Sequence, residues 1–459
     1  MRVLFATAEF APVYRVGGLA EATSGLVAAL RAGGVDVRVV LPDYGGIELV
    51  GEVTLDVTAP AWLDHLRVRR GHLPGVGEVT LVDAPGMRRP HPYVDEHGRG
   101  WADNDARFMG FSAGVAALCR LERPDVLHLN DWHTAATLGL LAERPPSVLT
   151  IHTLGYQGVM DRSWLDRLVT DAHHFAWYDA ANPLAGGIEL ADRVIAVSPN
   201  YAREILTPEF GMGLHDRLRA LGDRLIGIRN GIDTSVWNPS DDPHIRAHFH
   251  RGDLSGRAEC RRDLMDIAGW PGDNTPVFAM VSRLVEQKGV DLALDAVRFL
   301  EHLPARLFVL GSGDPELARH LHAAAAAAPD RIHFHEGYDA PLAHRLFAGS
   351  DLFLMPSRFE PCGLAQMQAM AYGSIPVVTD VGGLHDTVTD DDVHRRSGTG
   401  FVSSSVDPAG VVDAMHRAVR AWRHRARRES IVTRGMGRDW SWTTPAAHQA
   451  EIYHSLTGQ

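Results

Sequence analysis

Cysteine is almost absent. Cys119, Cys260 and Cys362 are the only three, they lie far apart, and none forms a CxxC pair. That excludes a disulfide framework and a cysteine-based zinc site, and fits a reducing compartment. No apolar run approaches the ~20 residues of a membrane-spanning helix, and the first residues read directly as a strand rather than as a signal peptide. A soluble, cytoplasmic protein with no membrane partner is the expectation. Positive charge is in deficit, with a formal net charge of −12, which argues against nucleic acid as a partner. The 25 histidines move that balance below neutral pH. The His-rich stretches "HIRAHFHRGD" (244–253), "HFHEG" (333–337) and His173-His174 lack HExxH or Cys/His spacing, so they read as surface or capping histidines and no metal is expected. The run Asp390-Asp391-Asp392 sits in a polar segment and reads as a solvated loop.

What the chain has is 459 residues, too many for one core, with a 45% hydrophobic and 22% charged balance. Strand-like and helix-like runs alternate. "VLFATAEF", "VDVRVVLP" (35–42), "VTLVDAP" (79–85), "DVLHLN" (125–130), "SVLTIH" (147–152) and "RVIAVS" (193–198) are strands, with helices from Gly18 and near 104–121. Several strands are almost continuously apolar, as parallel strands covered on both faces must be. A polar stretch with Pro and Gly at both ends (about 235–275) interrupts the pattern. The alternation restarts with "VFAMVS" (277–282), a helix near 289–302, "LFVLGSG" (307–313), "RIHFHEG" (331–337), "DLFLMPS" (351–357) and "IPVVTD" (375–380). The fold class is therefore α/β, with two Rossmann-like, doubly wound domains whose strand ends face a cleft. The expected division is 1–240, a linker 241–275, 276–430, and a C-terminal segment 431–459 that packs back on the first domain.

Three joints carry chemistry. "APVYRVGGLAEA" (11–22) places Arg15, Gly17 and Gly18 between the first strand and the first helix, where exposed backbone amides suit an anion. "VSRLVEQKG" places Arg283 and Lys288 at the C-terminal end of a strand, a pair that suits a pyrophosphate; two solvated surface cations are the alternative. "PSRFEPCGLAQMQAMAYG" places Glu360 just before a helix running from about Gly363 to Tyr372. Glu360 either partners the helix N-terminus or accepts hydrogen bonds from sugar or ribose hydroxyls, with the amides of Cys362, Gly363 and Leu364 turned to phosphate. Gly382 and Gly383 add a second diglycine after a strand. In "GSGDPE" (311–316), Asp314 reads as a helix cap. Trp132, Trp237, Trp440 and Trp442 read as packing residues more than sugar platforms.

In this order, "NDWHT" (130–134), "TIHTLGYQG" (150–158), "AVSPNYAREILTPEFGMGL" (196–214), "GIRNGIDTSVWNP" (227–239), "SRLVEQKG", "GSGDPE", "SRFEPCGLAQMQAMAYGSIPVV" and "VGGLHDTV" resemble the glycogen and starch synthases, to "DWSWTTPAAHQAEIY" (439–453) at the C-terminus. The resemblance implies the GT-B fold, with a C-terminal helix crossing back to the first domain. It implies a retaining glycosyltransferase that moves a hexosyl unit from ADP- or UDP-glucose to the 4-hydroxyl of an α-1,4-glucan. No cofactor or metal is implied; the partners are a nucleotide sugar and an oligosaccharide acceptor. On that reading Arg283 and Lys288 stabilise the leaving diphosphate, Glu360 orients the donor sugar, and His152 is the cleft histidine that contacts it. Arg15, Gly17, Gly18, Cys362, Gly363, Leu364, Gly382 and Gly383 bind the donor. Glu9, Glu21, Asp131, Thr153, Tyr156 and Asn230 are assigned to the sugar and acceptor side. A carboxylate pair of Asp131 and Glu360 is the competing, hydrolase-like arrangement.

The departures from the family lie in the first domain. Arg15 stands where the family has Lys, and Glu21 where it has Asp. Thr153 follows His152 where the family has Asn, and Ala185 replaces a cation. The stretch between Gly158 and Gly186 is rewritten. Two readings stay open: drift within a glucan synthase, or a specialised transferase like those of acarbose-type aminooligosaccharide assembly. A silent sugar-nucleotide-binding protein is the non-enzymatic alternative.

Overall fold

The structure is a computed structural model that describes residues 1–297, 299 and 304–458. The chain divides into two units: Met1–Gly231 with Trp442–Gln459, and Ile232–Ser441. Strands are numbered in chain order.

In the first unit, β1 (Arg2–Ala6), β2 (Asp36–Pro42), β3 (Val50–Leu55), β4 (Arg67–Leu73), β5 (Gly77–Asp83), β6 (Val126–Asn130) and β7 (Ser147–Ile151) belong to a nine-stranded sheet. The two-residue strands β8 (Met160–Asp161), β9 (Ala176–Trp177) and β10 (Ala180–Ala181) form a separate small sheet. β11 (Arg193–Ala196) and β12 (Leu225–Gly227) complete the large one, whose order is β12-β11-β7-β6-β1-β2-β5-β4-β3. From β12 to β5 every pairing is parallel; β4 and β3 add an antiparallel edge. β6 and β7 are buried along their whole length, which explains their mainly apolar character; the buried polar side chains among them are His128, Asn130, Ser147 and Thr150.

The second unit has an all-parallel sheet of β13 (Val277–Val281), β14 (Arg306–Gly311), β15 (Ile332–Glu336), β16 (Leu352–Met355), β17 (Ile375–Thr379) and β18 (Phe401–Ser403), ordered β15-β14-β13-β16-β17-β18. In both sheets the chain starts in the middle, builds one side, then crosses to the other. This is the doubly wound order, in which ligands bind beyond the carboxyl ends of the strands that flank the reversal. Those strands are β1 and β6 in the first unit and β13 and β16 in the second.

Three expectations are corrected. The segment 241–275 belongs to the second unit. Asp242 in it is buried, and its carboxylate accepts from Tyr372 (2.5 Å) and pairs with His344 (2.7 Å). Trp237 stacks on His344, and the helix Ser255–Ala268 buries Cys260 and Leu264. The return to the first unit begins at Trp442, not 431. Ile431 and Val432, on the helix Arg425–Met436, fill the second core, while Trp442, Ala446 and Tyr453 join the first. A Cβ on Gly25 would lie 2.1 Å from the Trp442 indole nitrogen, so only glycine fits beneath that ring. Third, Asp391 is not solvated. It is 1% exposed and holds Arg427, Arg434 and Arg395.

The helix after β13 is observed over Val290–Val297; the expected stretch at 298 and 300–302 lies outside the described residues. Asp314 caps its helix, accepting from the amides of Glu316 and Leu317. Among the described residues no helix is long and apolar enough to cross a membrane.

Candidate functional site

The second unit gathers its predicted residues at the carboxyl ends of β13 and β16. Lys288 Nζ lies 2.6 Å from Glu360 Oε2, and the Ser357 hydroxyl donates to the same oxygen at 3.1 Å. Glu360 is 5% exposed. A buried carboxylate without partners would be strongly disfavoured; here one ammonium and one hydroxyl satisfy it. The loops that carry the pair are laced together. Arg358 donates its amide to the Gln287 carbonyl (2.8 Å) and its guanidinium to Asp291 (2.7 and 2.6 Å), and Gln287 reaches the Phe359 carbonyl (3.1 Å). Gly289 has φ +65, and a Cβ there would sit 1.9 Å from the Pro356 carbonyl oxygen, so glycine alone lets the two loops close. Arg283 is exposed, and its guanidinium has no ion pair or hydrogen bond among the described residues. Lys288 is the one lysine of the whole chain; every other basic side chain is arginine.

The second-unit backbone sites divide. Gly363 (φ +72) and Leu364 precede the helix Ala365–Ala371, shorter than the expected one. Cys362 is buried. Gly382 opens the helix Gly382–Thr387. The Gly383 amide, read as a donor contact, instead donates to the Glu360 carbonyl at 2.9 Å. Gly383 is glycine for packing, because a Cβ would meet the Cys362 carbonyl oxygen at 2.1 Å.

In the first unit the loop after β1 is braced from inside. Glu9, expected on the sugar side, is buried. Its Oε2 accepts from the amides of Val16 (2.8 Å) and Gly17 (2.9 Å), and its Oε1 accepts from the Tyr93 hydroxyl (2.8 Å). The Gly17 amide is thus engaged by the protein's own carboxylate and not offered to an anion. A Cβ on Gly17 would meet open space, so packing gives no reason for its glycine. Gly18 starts the helix Gly18–Ala32, in whose first turn Glu21 lies. Arg15 is exposed on the same loop.

Asp131 sits at φ 54, a costly conformation for a residue with a side chain. It turns its carboxylate back to accept from the His152 amide at 2.7 Å and from the Thr153 backbone. Asp131 therefore holds the His152 loop and is not free to act in a carboxylate pair. The half-buried Thr153 caps a local turn, its hydroxyl accepting from the Gly155 amide (3.1 Å). Tyr156 is the most open of the set, at 61% exposure. Asn230 and His152 line one small cavity with Thr150, Trp442 and Gln449. Ala185 is fully buried, on a helix capped by Asn182. Tyr93, which links Glu9 to the rings of Phe108 and His133, escapes the sequence reading because no motif surrounds it.

Burial sets the charge of this unit. It pushes the imidazoles of His128, His133 and His152 down to about 3, so all three are neutral near pH 7. It pushes Asp131 up to about 7, against the two backbone amides that favour its charged form. Below pH ~6.5 the unfolded chain protonates three imidazoles that the fold keeps neutral, so stability falls with pH; Asp131 opposes this, holding one proton between ~4 and ~7 that the unfolded chain releases. The difference of two protons gives a loss of about 3 kcal/mol per pH unit between pH 6 and 4.5. Thermal melts of the full chain should show the first transition dropping steeply over that range. A flat profile would contradict this charge assignment.

One group of metal-capable side chains occurs among the described residues, Asp171 with His173 and His174, whose ligand atoms lie within 4.8 Å. Asp171 is paired with Arg144 at 2.8 Å, and His174 contacts Glu189, which Arg217 also holds at 3.0 Å.

Residues 2–220 match the family described as starch synthase catalytic domain, and residues 266–433 match glycosyl transferases group 1. A glycogen synthase of Halorhodospira halophila is 42% identical over 99% of both chains, and glycogen synthase 1 of Methylococcus capsulatus is 40% identical over 99% of this chain and 96% of its own. The chain belongs to the glycogen synthase family. The catalytic domain of starch synthase IV from Arabidopsis thaliana, solved with ADP and acarbose, superposes with a TM-score of 0.89 at 31% identity, covering 100% of this chain and 99% of that one. Sucrose-phosphate synthase of Thermosynechococcus elongatus shares the fold, with a TM-score of 0.64 at 17% identity. The fold is GT-B, and the protein is a retaining glycosyltransferase.

Proposed function

We propose that this glycogen synthase family member transfers glucose from a nucleoside-diphosphate glucose to the 4-hydroxyl of an α-1,4-glucan, keeping the α configuration. The observation that carries the reading is the arrangement at β13 and β16: an unpaired, exposed Arg283 beside a Lys288–Glu360 pair held by Ser357. Breaking the bond between the anomeric carbon and phosphate builds negative charge on the leaving diphosphate and positive charge on the sugar. Cations already in place stabilise the first without reorganisation at the moment of reaction. Arg283 is a planar fork suited to two phosphate oxygens, and Lys288 a compact point charge. Glu360 accepts from donor-sugar hydroxyls with the oxygen that Lys288 and Ser357 leave open. The amides of Gly363 and Leu364, at a helix start, face the diphosphate.

The first unit takes the sugar and the acceptor. Gly17 keeps its surface bare for the donor, which is the role left once packing gives none. Arg15 adds charge to the same loop. His152, neutral by burial, contacts the sugar as a hydrogen-bonding group, not as a cation. The reaction needs no second carboxylate: the acceptor attacks from the face the diphosphate leaves, and a phosphate oxygen takes the acceptor's proton. No metal is required, since the two cations supply the charge.

A donor and acceptor screen tests this. ADP-, UDP-, GDP- and dTDP-glucose are offered with maltose, maltotriose and glycogen, and product masses are read by mass spectrometry. Acceptors that grow by whole hexose units with ADP- or UDP-glucose are the expected result. Nucleotide binding without transfer from any glucose donor would overturn the assignment of glucose. It would turn attention to an unusual donor sugar and to Arg15, Glu21, Thr153 and Ala185.

A further inference from the structure

Asn130, the last residue of β6, is fully buried, and both ends of its side-chain amide are committed. Nδ2 donates to the Ala6 carbonyl at the end of β1 (2.9 Å), and Oδ1 lies 3.0 Å from His152 Nε2. The Ala6 carbonyl only accepts, so the amide nitrogen must face it and the amide oxygen must face the imidazole. That oxygen only accepts, so His152 Nε2 must carry the hydrogen. A neutral imidazole carries one, so Nδ1 is left with a bare lone pair. Nδ1 makes no hydrogen bond among the described residues. The backbone of the same residue is fixed separately, by Asp131 at 2.7 Å. Ring and loop are thus held by two adjacent residues of one strand end.

We propose that Asn130 is a positioning residue for the transfer reaction: it locks His152 as the Nε2–H tautomer, so that Nδ1 accepts a hydrogen bond from a hydroxyl of the donor hexose. The proposal rests on the reading that His152 contacts the sugar. It goes further in assigning direction: the ring receives a sugar hydroxyl proton and does not donate one. A carbonyl or ether oxygen of the substrate finds no partner at Nδ1, and a hydroxyl does. Asn130 acts only through His152. Its effect is on alignment, where a shift of about 1 Å costs on the order of a hundredfold in rate.

The test is a 15N NMR measurement of imidazole tautomers in the full chain, with His152 assigned by the signal missing from His152→Gln. The wild-type protein should show Nε2 protonated and Nδ1 bare. A protonated Nδ1 overturns the proposal whatever the kinetics. Asn130→Ala should give a mixed tautomer and a kcat reduced about tenfold to a hundredfold, with donor KM little changed. Asn130→Asp keeps an acceptor toward Nε2 but loses the donor to the Ala6 carbonyl; it should keep the Nε2 hydrogen while lowering stability, a split that a purely structural role would not give. Failure of the reading beneath is distinguishable: if His152→Gln turns over normally while the wild-type tautomer is Nε2–H, the lock stands and the sugar contact falls.

Discussion

Lys288→Ala should lower turnover by about 10²–10³-fold, the usual cost of removing one preorganised group aimed at transition-state charge. The same change takes from Glu360 the one counter-charge it pairs with among the described residues, leaving the Ser357 hydroxyl. The pair is partly open to solvent, with 18% of the lysine side chain exposed, so the cost to stability stays near 1–3 kcal/mol, below the range for a fully buried broken pair. A fall of a few degrees in the second unit's melting temperature goes with it. Lys288→Arg should fail too, by tenfold or more in kcat. The ammonium meets Glu360 at 2.6 Å from a loop closed at the next residue, Gly289, against the Pro356 carbonyl, and a planar fork does not replace a point charge there. Glu360→Gln keeps an acceptor but not the charge, and should lose more in kcat than in donor affinity. Normal turnover in Lys288→Ala would remove the leaving-group role from this loop.

Asp391→Ala should produce the largest loss of stability of any single substitution considered. Asp391 is 1% exposed, and its two oxygens meet Arg427 Nε at 2.7 Å and Arg434 Nη2 at 2.6 Å, with Arg395 at 3.5 Å. Deleting it leaves the guanidiniums of Arg427 and Arg434 close together at 16% and 20% exposure. Removing one side of such a cluster costs about 3–5 kcal/mol, because the remaining charges stay desolvated. For a unit of this size that is about 10 °C in melting temperature. Asp392 keeps a 2.8 Å contact to Arg427 and moderates the effect. Asp391→Asn, which keeps the shape, should lose about half as much. Calorimetry of the full chain reads both; an unchanged second-unit transition in Asp391→Ala would show that the buried network contributes nothing net.

The doubly wound cores were legible because parallel strands buried on both faces leave an apolar signature, as in β6, β7, β13 and β17. β3 and β4 were not. β4 reads "RVRRGHL", and its arginines pair across the edge with Asp43, Glu52 and Glu122, so its strand signal is charge rather than alternation. The buried Asp391 was misread for a related reason. Its partners Arg427 and Arg434 lie some forty residues away in sequence, and no local pattern announces them. Within the candidate sites, strand-end logic singled out Arg283, Lys288 and Glu360, and the family resemblance added His152. They did not separate glycines that make room from glycines that packing demands. Gly17 faces open space and Gly383 faces a carbonyl, a distinction only three-dimensional neighbours reveal. Glu9 and Asp131 went the same way: carboxylates near a sugar site by sequence, loop braces by geometry. One signal was present in the sequence and simple to count. A chain that uses arginine at every other basic position keeps lysine once, at 288.

The most direct test of the central claim is the anomeric configuration of the newly formed bond, read by proton NMR as maltotriose is extended from ADP- or UDP-glucose by the wild-type protein. An α-linked product appearing from the first time point, and forming about 10²–10³-fold more slowly in Lys288→Ala, is the predicted result. A β-linked product, or transfer at the wild-type rate in Lys288→Ala, would contradict it.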